Sequence, residues 1–287
     1  MKKRKRRSKI GRKLAKKAVV VSPSDPRPWT KLRGKTKTKN SVHAEVIRVA
    51  ESEEIPKTIP KNGLTLVYWN IRGLCQPIRL ALAYAKVKYK DVRIDPGNPD
   101  DVATYKRAWF DVKSEVSKCV PFANLPYLLD GDNKVAIPQS GAILRYIGRN
   151  FDLMGENEVQ LDVMLSEVYD LDSKFTGMCY RNFGQMSEYC KDVLPDILGK
   201  FAKQLQRFDS KFLTGKKISI VDFKFFDLLT KFKIVELDKS IGTCAIDSNE
   251  EICNYMKRMA EIKTIKEYLN SPRFLDRPLN NAHAAFK

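Results

Sequence analysis

The sequence predicts a mixed α/β domain followed by an all-α domain, both carried behind a strongly basic N-terminal extension. Three observations predict this. Residues 62–150 alternate strand-like and helix-like segments in the order β-α-β, then β-β-α; residues 156–287 show helical periodicity alone; and most of the excess of Lys and Arg falls in residues 1–60. No internal repeat is present.

The extension comes first. Of the formal net charge of +19, residues 1–60 hold 19 Lys and Arg against 5 Asp and Glu, while the rest holds 34 against 29. Lys2 to Lys17 is a cationic run, Ser22 to Pro28 is rich in Pro and Ser, and Lys31 to Lys39 alternates basic residues with Thr and Gly. So little apolar content predicts disorder, with at most a short amphipathic helix over Ile10 to Val19, opposed by Gly11 and the charge density. Such clusters suit polyanions: RNA or other nucleic acid, an acidic protein surface or an anionic membrane. Lys2 to Arg7 also fits a nuclear localisation cluster, and the scarcity of acids before Asp25 fits a mitochondrial presequence less well, the run being dense in lysine.

Leu64 to Trp69 is an apolar run rich in aromatic and β-branched residues. After Arg72-Gly73, the positions Ile78, Ala81, Leu82 and Ala85 take helical spacing, so strand, turn and helix follow in order. Tyr89 to Ile94 reads as a second strand, Tyr127 to Leu129 and Lys134 to Ile137 as a hairpin across Asp130-Gly131, and Ser140 to Arg149 as a helix. Beyond Gly155, Leu161, Met164, Leu165 and Val168 share one helix face, and Val221, Phe225, Leu228, Leu229 and Phe232 another. Ser219-Ile-Val-Asp222 has the spacing of a capping box, in which side-chain oxygens satisfy the free N–H groups of a helix start.

Composition excludes several kinds of chemistry. No stretch approaches the roughly 20 apolar residues that span a bilayer, and Ala18 to Val21 is too short for a signal-peptide core, which predicts a soluble, unsecreted, cytoplasmic protein. Six cysteines without CxxC pairs suit a reducing compartment. With only His43 and His283, neither a histidine-based metal site nor a Ser-His-Asp triad is expected.

Specific motifs run through these segments: Tyr68-Trp-Asn-Ile-Arg-Gly73, Trp109 with Lys113, Phe122-Ala-Asn-Leu-Pro-Tyr127, Gln139-Ser140, Ser219 to Asp222, and Ser271-Pro-Arg-Phe-Leu-Asp-Arg-Pro278. Taken together and in order, they resemble mu-class glutathione transferases from about residue 64 to the C-terminus. The resemblance implies a thioredoxin-like glutathione-binding domain (62–150) and an all-helical domain (156–287), assembled as a homodimer, with detoxification of electrophiles as the role and no metal.

Residue by residue, the resemblance assigns the following roles. Tyr68 donates a hydrogen bond to the glutathione sulfur, which favours the thiolate, the form that attacks an electrophilic carbon. Asn124-Leu125-Pro126 ends in a cis-proline and pairs with the cysteinyl backbone like an added strand. Gln139 and Ser140 hold the γ-glutamyl carboxylate at a helix start. Trp69, Lys106, Trp109 and Lys113 grip the glycyl end, Lys106 standing where the family usually has arginine. Asp170 or Asp172 meets the γ-glutamyl amine bound by the neighbouring subunit. Tyr180 lies on the electrophile side, Phe122 inserts into the partner subunit, and Arg145 lies near the two-fold axis.

Each position also has a plainer reading: a strand aromatic for Tyr68, an edge proline for Pro126, an N-cap for Ser140, intrachain packing for Phe122. Cys75, at the helix start, reads as a small buried hydrophobe. The chain departs from the family pattern in a hairpin about two residues longer over Asp132 to Pro138, in Ala123 for a common proline, and in its extension. Two functions follow: a transferase conjugating glutathione to hydrophobic electrophiles, or a transferase fold recruited through residues 1–60 as a structural component of a large acidic assembly, ribonucleoprotein or cytoskeletal.

Overall fold

The computed structural model describes residues 44–207, 210–237 and 245–287. The cationic run, its short helix and the disorder read for them lie outside the described residues. Five strands form one sheet in the order β1-β3-β2-β4-β5: β1 (Ala44–Val49), β2 (Leu64–Trp69), β3 (Tyr89–Ile94), β4 (Tyr127–Asp130) and β5 (Val135–Pro138). β2 runs parallel to β3, with Leu64 opposite Tyr89 and Trp69 opposite Ile94, while β4 is antiparallel to both β2 and β5.

The sheet differs from the sequence reading at its edge. Residues 44–49, placed by composition within the extension, form β1 alongside β3, Ala44 facing Tyr89 and Val49 facing Ile94. Their Ala-Glu-Val-Ile-Arg-Val pattern suits a half-buried strand, but the surrounding charge hides so short a segment. From β1 the chain returns past a 3-10 turn at Ser52–Glu54 that packs on helix α2 (Arg107–Ser117). It then buries Ile55 and reaches Pro56, whose carbonyl accepts from the Tyr127 hydroxyl at 2.6 Å. The folded body thus includes Ala44 and everything described after it.

Helix α1 (Gln76–Tyr84) packs against α3 (Ser140–Asn150). The sequence reading assigns no element to residues 107–117, although the buried residues of α2, Trp109, Val112 and Val116, recur at helical spacing. The second domain comprises α4 (Glu158–Arg181), a short α5 (Met186–Glu188) that passes through a π turn into α6 (Leu194–Gln206), then α7 (Ile220–Glu236), α8 (Glu250–Glu261) and α9 (Lys263–Leu269).

Helix α7 is the axis of the molecule. Every residue from Ile220 to Val235 is buried, the charged Asp222, Lys224, Asp227, Lys231 and Lys233 among them. Its start carries the predicted capping box: Asp222 Oδ2 accepts from Ser219 N–H at 2.8 Å. It packs on α4, α8 and, across the domain boundary, α1. No helix among the described residues is long and apolar enough to cross a membrane.

Candidate active site

Tyr68 is the last residue but one of β2, and its side chain is buried. The next turn bends back over it, so that Leu74 N–H donates to the Tyr68 hydroxyl at 3.2 Å. Burial pushes the hydroxyl's pKa well above its ordinary value, with the Leu74 hydrogen bond opposing. The group therefore keeps its proton at neutral pH and stands as a donor, polarised by the N–H it accepts.

The turn itself is tied down at successive backbone groups. Ile71 C=O accepts from Arg79 at 3.1 Å. Arg72 N–H donates to Pro278 C=O at 2.9 Å and Gly73 N–H to Leu279 C=O at 3.0 Å. Gly73 C=O accepts from Lys231 at 3.3 Å. Arg79 is paired with Asp91 at 3.0 Å, and Asp91 with Arg93 at 2.6 Å, all three inside the core. These tethers come from α1, α7 and the C-terminal segment, so both domains set the position of Leu74 N–H. Sequence reasoning missed them because long-range partners leave no local pattern; Gly73 in the motif was their one visible trace.

Strand register assembles the rest. Val67 faces Tyr127 and Tyr127 faces Pro138, so continuing each ladder by one residue aligns Tyr68, Pro126 and Gln139 in a row across three strands. With strands about 4.8 Å apart the row spans about 10 Å, close to the reach of three extended residues. The Leu125-Pro126 bond is cis, and Leu125 N–H is taken by Asn124 Oδ1 at 2.9 Å. Gln139 is exposed at φ +73°, and Ser140 begins α3. Together they offer the free N–H groups of a helix start to an anion.

The residues assigned to the glycyl end divide by depth. Trp109 is 2% exposed and packs on Tyr127, the ring centres 5.9 Å apart. Lys113, one turn on, and Trp69 are half-buried. Lys106 has a left-handed backbone (φ +65°), its ammonium is 4.8 Å from the Tyr105 ring centre, and partial burial lowers its pKa. At the residue expected on the electrophile side, the Tyr180 hydroxyl accepts from Asn281 N–H at 3.0 Å, and Tyr105 meets His283 edge-on at 4.9 Å, so the C-terminal segment lies over these two tyrosines.

The two aspartates separate cleanly. Asp172 is buried and bound to Lys224 at 2.6 Å, inside the subunit, whereas Asp170 is exposed and lines a groove of about 520 Å³ between α4 and α6. Val163, Met164, Leu171, Ile197 and Phe201 line the same groove. Phe122 is 89% exposed with a left-handed backbone (φ +59°), which is rare for a bulky side chain. Arg145 is half-buried, 3.5 Å from Asp162. The Cys75 thiol is buried and pushed up to about 12 by that burial, which makes it unreactive. Among the described residues no cluster of His, Cys, Asp or Glu could hold a metal.

Comparison with known proteins identifies both domains. Residues 64–149 match the family model for the glutathione S-transferase N-terminal domain, and residues 169–272 that for the C-terminal domain. The chain is 33% identical over 221 residues to glutathione S-transferase B of Cavia porcellus, covering 75% of this chain and 95% of that one. It is 33% identical over 229 residues to glutathione S-transferase Mu 3 of Homo sapiens, covering 78% and 95%. Among solved structures, the pi-class glutathione S-transferase of Onchocerca volvulus superposes with a TM-score of 0.64 at 32% identity, covering 77% of this chain and 99% of that one.

Proposed function

The chain belongs to the glutathione S-transferase family, its relatives include members of the mu class, and on that premise we propose that it conjugates glutathione to hydrophobic electrophiles with Tyr68 as the thiol-activating group. The observation that carries this reading is the hydrogen bond from Leu74 N–H to the Tyr68 hydroxyl, within the row of Tyr68, Pro126 and Gln139. Glutathione lies along that row. Its γ-glutamyl carboxylate meets the N–H groups at Gln139 and Ser140, and its cysteinyl backbone displaces Asn124 Oδ1 from Leu125 N–H beside Pro126. Its glycyl carboxylate meets Lys106 and Lys113, with the Trp69 and Trp109 indoles. The sulfur then faces Tyr68, whose retained proton stabilises the thiolate and not the thiol. The electrophile approaches from the Tyr180 side.

A homodimer completes the site in this reading. Phe122, held outward on a costly backbone, enters the α4/α6 groove of a second copy, near Arg145 at the two-fold axis. Asp170, on the rim of that groove, meets the γ-glutamyl amine bound by the neighbour. Asp172, committed to Lys224, does not.

The extension is a tether to a polyanion such as RNA. Residues 1–43 hold 17 Lys and Arg against one Asp. They join the sheet at Ala44, beside the start of β3, while Tyr68 lies near the far end of β2. A strand of this length separates the two by roughly 15 Å, so a bound polyanion leaves the glutathione row open. Described cysteines that are all unpaired support a reducing, cytoplasmic compartment.

The test is glutathione binding and turnover on an aromatic electrophile, side by side, for the full chain and Tyr68→Phe. The expected result is unchanged binding with turnover near neutral pH reduced on the order of a hundredfold, equivalent to about two pKa units on the sulfur. Equal turnover in both would remove Tyr68 from the chemistry, and no turnover in the parent would favour a structural component held in an acidic assembly.

A further inference from the structure

A helix buried on all sides is a costly place for ionised groups, yet α7 carries Lys224, Asp227 and Lys231 along one stripe. Each has found partners. Arg72 Nε donates to Asp227 Oδ1 at 2.8 Å, and its Nη2 donates to the Thr230 hydroxyl. The Lys231 ammonium stands 2.8 Å from Asp227 Oδ2 and 3.9 Å from Asp172 Oδ1, and Asp172 Oδ2 takes Lys224 at 2.6 Å. The remaining acid, Asp276 of the C-terminal segment, is 4.0 Å from Arg72 with its side chain 32% exposed. The buried members are three cations, Arg72, Lys224 and Lys231, and two carboxylates, Asp172 and Asp227. Asp276, at the partly exposed edge beside Arg72, is the third carboxylate and balances the cluster's charge.

The Lys231 end of this cluster adjoins the candidate site. Lys231 donates to Gly73 C=O at 3.3 Å, and the N–H of that same peptide group, Leu74 N–H, donates to Tyr68. Its field also reaches Cys179 and Tyr180 on α4: burial pushes both groups up, and Lys231 acts against that rise. An anion placed beside Tyr68 would therefore sit near an ammonium that water screens poorly, where a positive charge favours the ionised form.

We propose that Lys231 is a positioning residue for thiol activation: by holding the Gly73 carbonyl it aims Leu74 N–H at Tyr68, and its buried ammonium favours the thiolate of glutathione bound there. This inference rests on the reading of Tyr68 as the activating group. Asp172 is its counterweight, since it moderates the charge of Lys231 and Lys224 from the opposite side.

The experiment is the pH dependence of kcat/KM for glutathione, with direct glutathione binding, in the full chain, Lys231→Met, Lys231→Arg and Asp172→Asn. Lys231→Met is expected to move the acidic limb upward by about half to one unit, so that kcat/KM below the limb falls about three- to tenfold while the alkaline plateau holds. Lys231→Arg keeps the charge and should keep the parent's limb. Asp172→Asn removes a negative charge and should move the limb the other way, a sign that loss of packing does not produce, so the proposal stands or falls on this variant if Lys231→Met does not fold. Equal loss at every pH, a common direction for Met and Asn, or an Arg variant displaced as far as Met would overturn the proposal. A parent that binds no glutathione would overturn the reading of the site and this inference with it; a parent that ionises glutathione normally while Lys231→Met matches it would overturn only the inference.

Discussion

A Cβ added to Gly73 would stand 2.5 Å from the hydroxyl oxygen of Tyr68. The turn thus closes on the tyrosine so tightly that its second residue has no room for a side chain, and its φ of +42° is one that side chains rarely adopt. Gly73→Ala should therefore displace either the turn or the Tyr68 ring. A shift near 1 Å at such a group is expected to reduce turnover on the order of a hundredfold. Steady-state kinetics with glutathione binding in parallel will check this, turnover falling much further than affinity.

The edge strand separates the extension into two parts with different consequences of removal. Deleting residues 1–43 should abolish salt-sensitive association with RNA and leave the unfolding midpoint in urea unchanged. Deleting residues 1–60 also removes Val49 and Ile55, each 2% exposed, and should cost about 3–6 kcal/mol for those two side chains. Urea denaturation of the two truncations, with binding titrations at two salt concentrations, distinguishes them.

Phe122→Ala should convert the dimer to a 32.9 kDa monomer in sedimentation equilibrium. Because Asp170 is assigned to the neighbour's glutathione, the same variant should weaken glutathione affinity, and Asp170→Asn should do so without changing the molecular mass. A Phe122→Ala protein that remains dimeric would place the interface elsewhere.

Asp222 gives a pH signature of stability. Burial raises its carboxyl to about 6, despite hydrogen bonds from Leu213, Ser219 and Tyr255. The unfolded value is near 3.9, so the folded state binds the proton more tightly, and this contribution is complete below about pH 4 and lost as pH rises through 6. It amounts to about 3 kcal/mol across that window. In Asp222→Asn the slope should vanish, although the variant is less stable throughout, as urea melts at pH 4, 5, 6 and 7 will show.

The core ion cluster should tolerate no partial removal. Asp91 lies between Arg79 and Arg93, all at 1% exposure or less. Asp91→Asn leaves two buried guanidinium groups unopposed and should destabilise the fold by about 3–5 kcal/mol, read as a shifted urea midpoint.

What the sequence discloses follows from the range of the interactions. Leu64 to Trp69, Tyr89 to Ile94 and the 127–137 hairpin are local patterns, and the structure has each within a residue or two. The Ser219 box is local too, and it is formed. β1 escaped notice because six residues in a charged segment carry too weak a period. The proposed choice of Asp170 over Asp172 rests on the pairing of Asp172 with Lys224, fifty-two residues away, which no local pattern discloses. Lys231, Asp227 and Arg72 read as ordinary charges until the fold buries them together.

The most direct measurement of the central claim is an ultraviolet titration of the glutathione thiolate bound to the full-length protein. The account predicts an apparent thiol pKa about two units below that of free glutathione, returning to the free value in Tyr68→Phe. Glutathione that binds but titrates like the free thiol would contradict it and leave the fold as a scaffold.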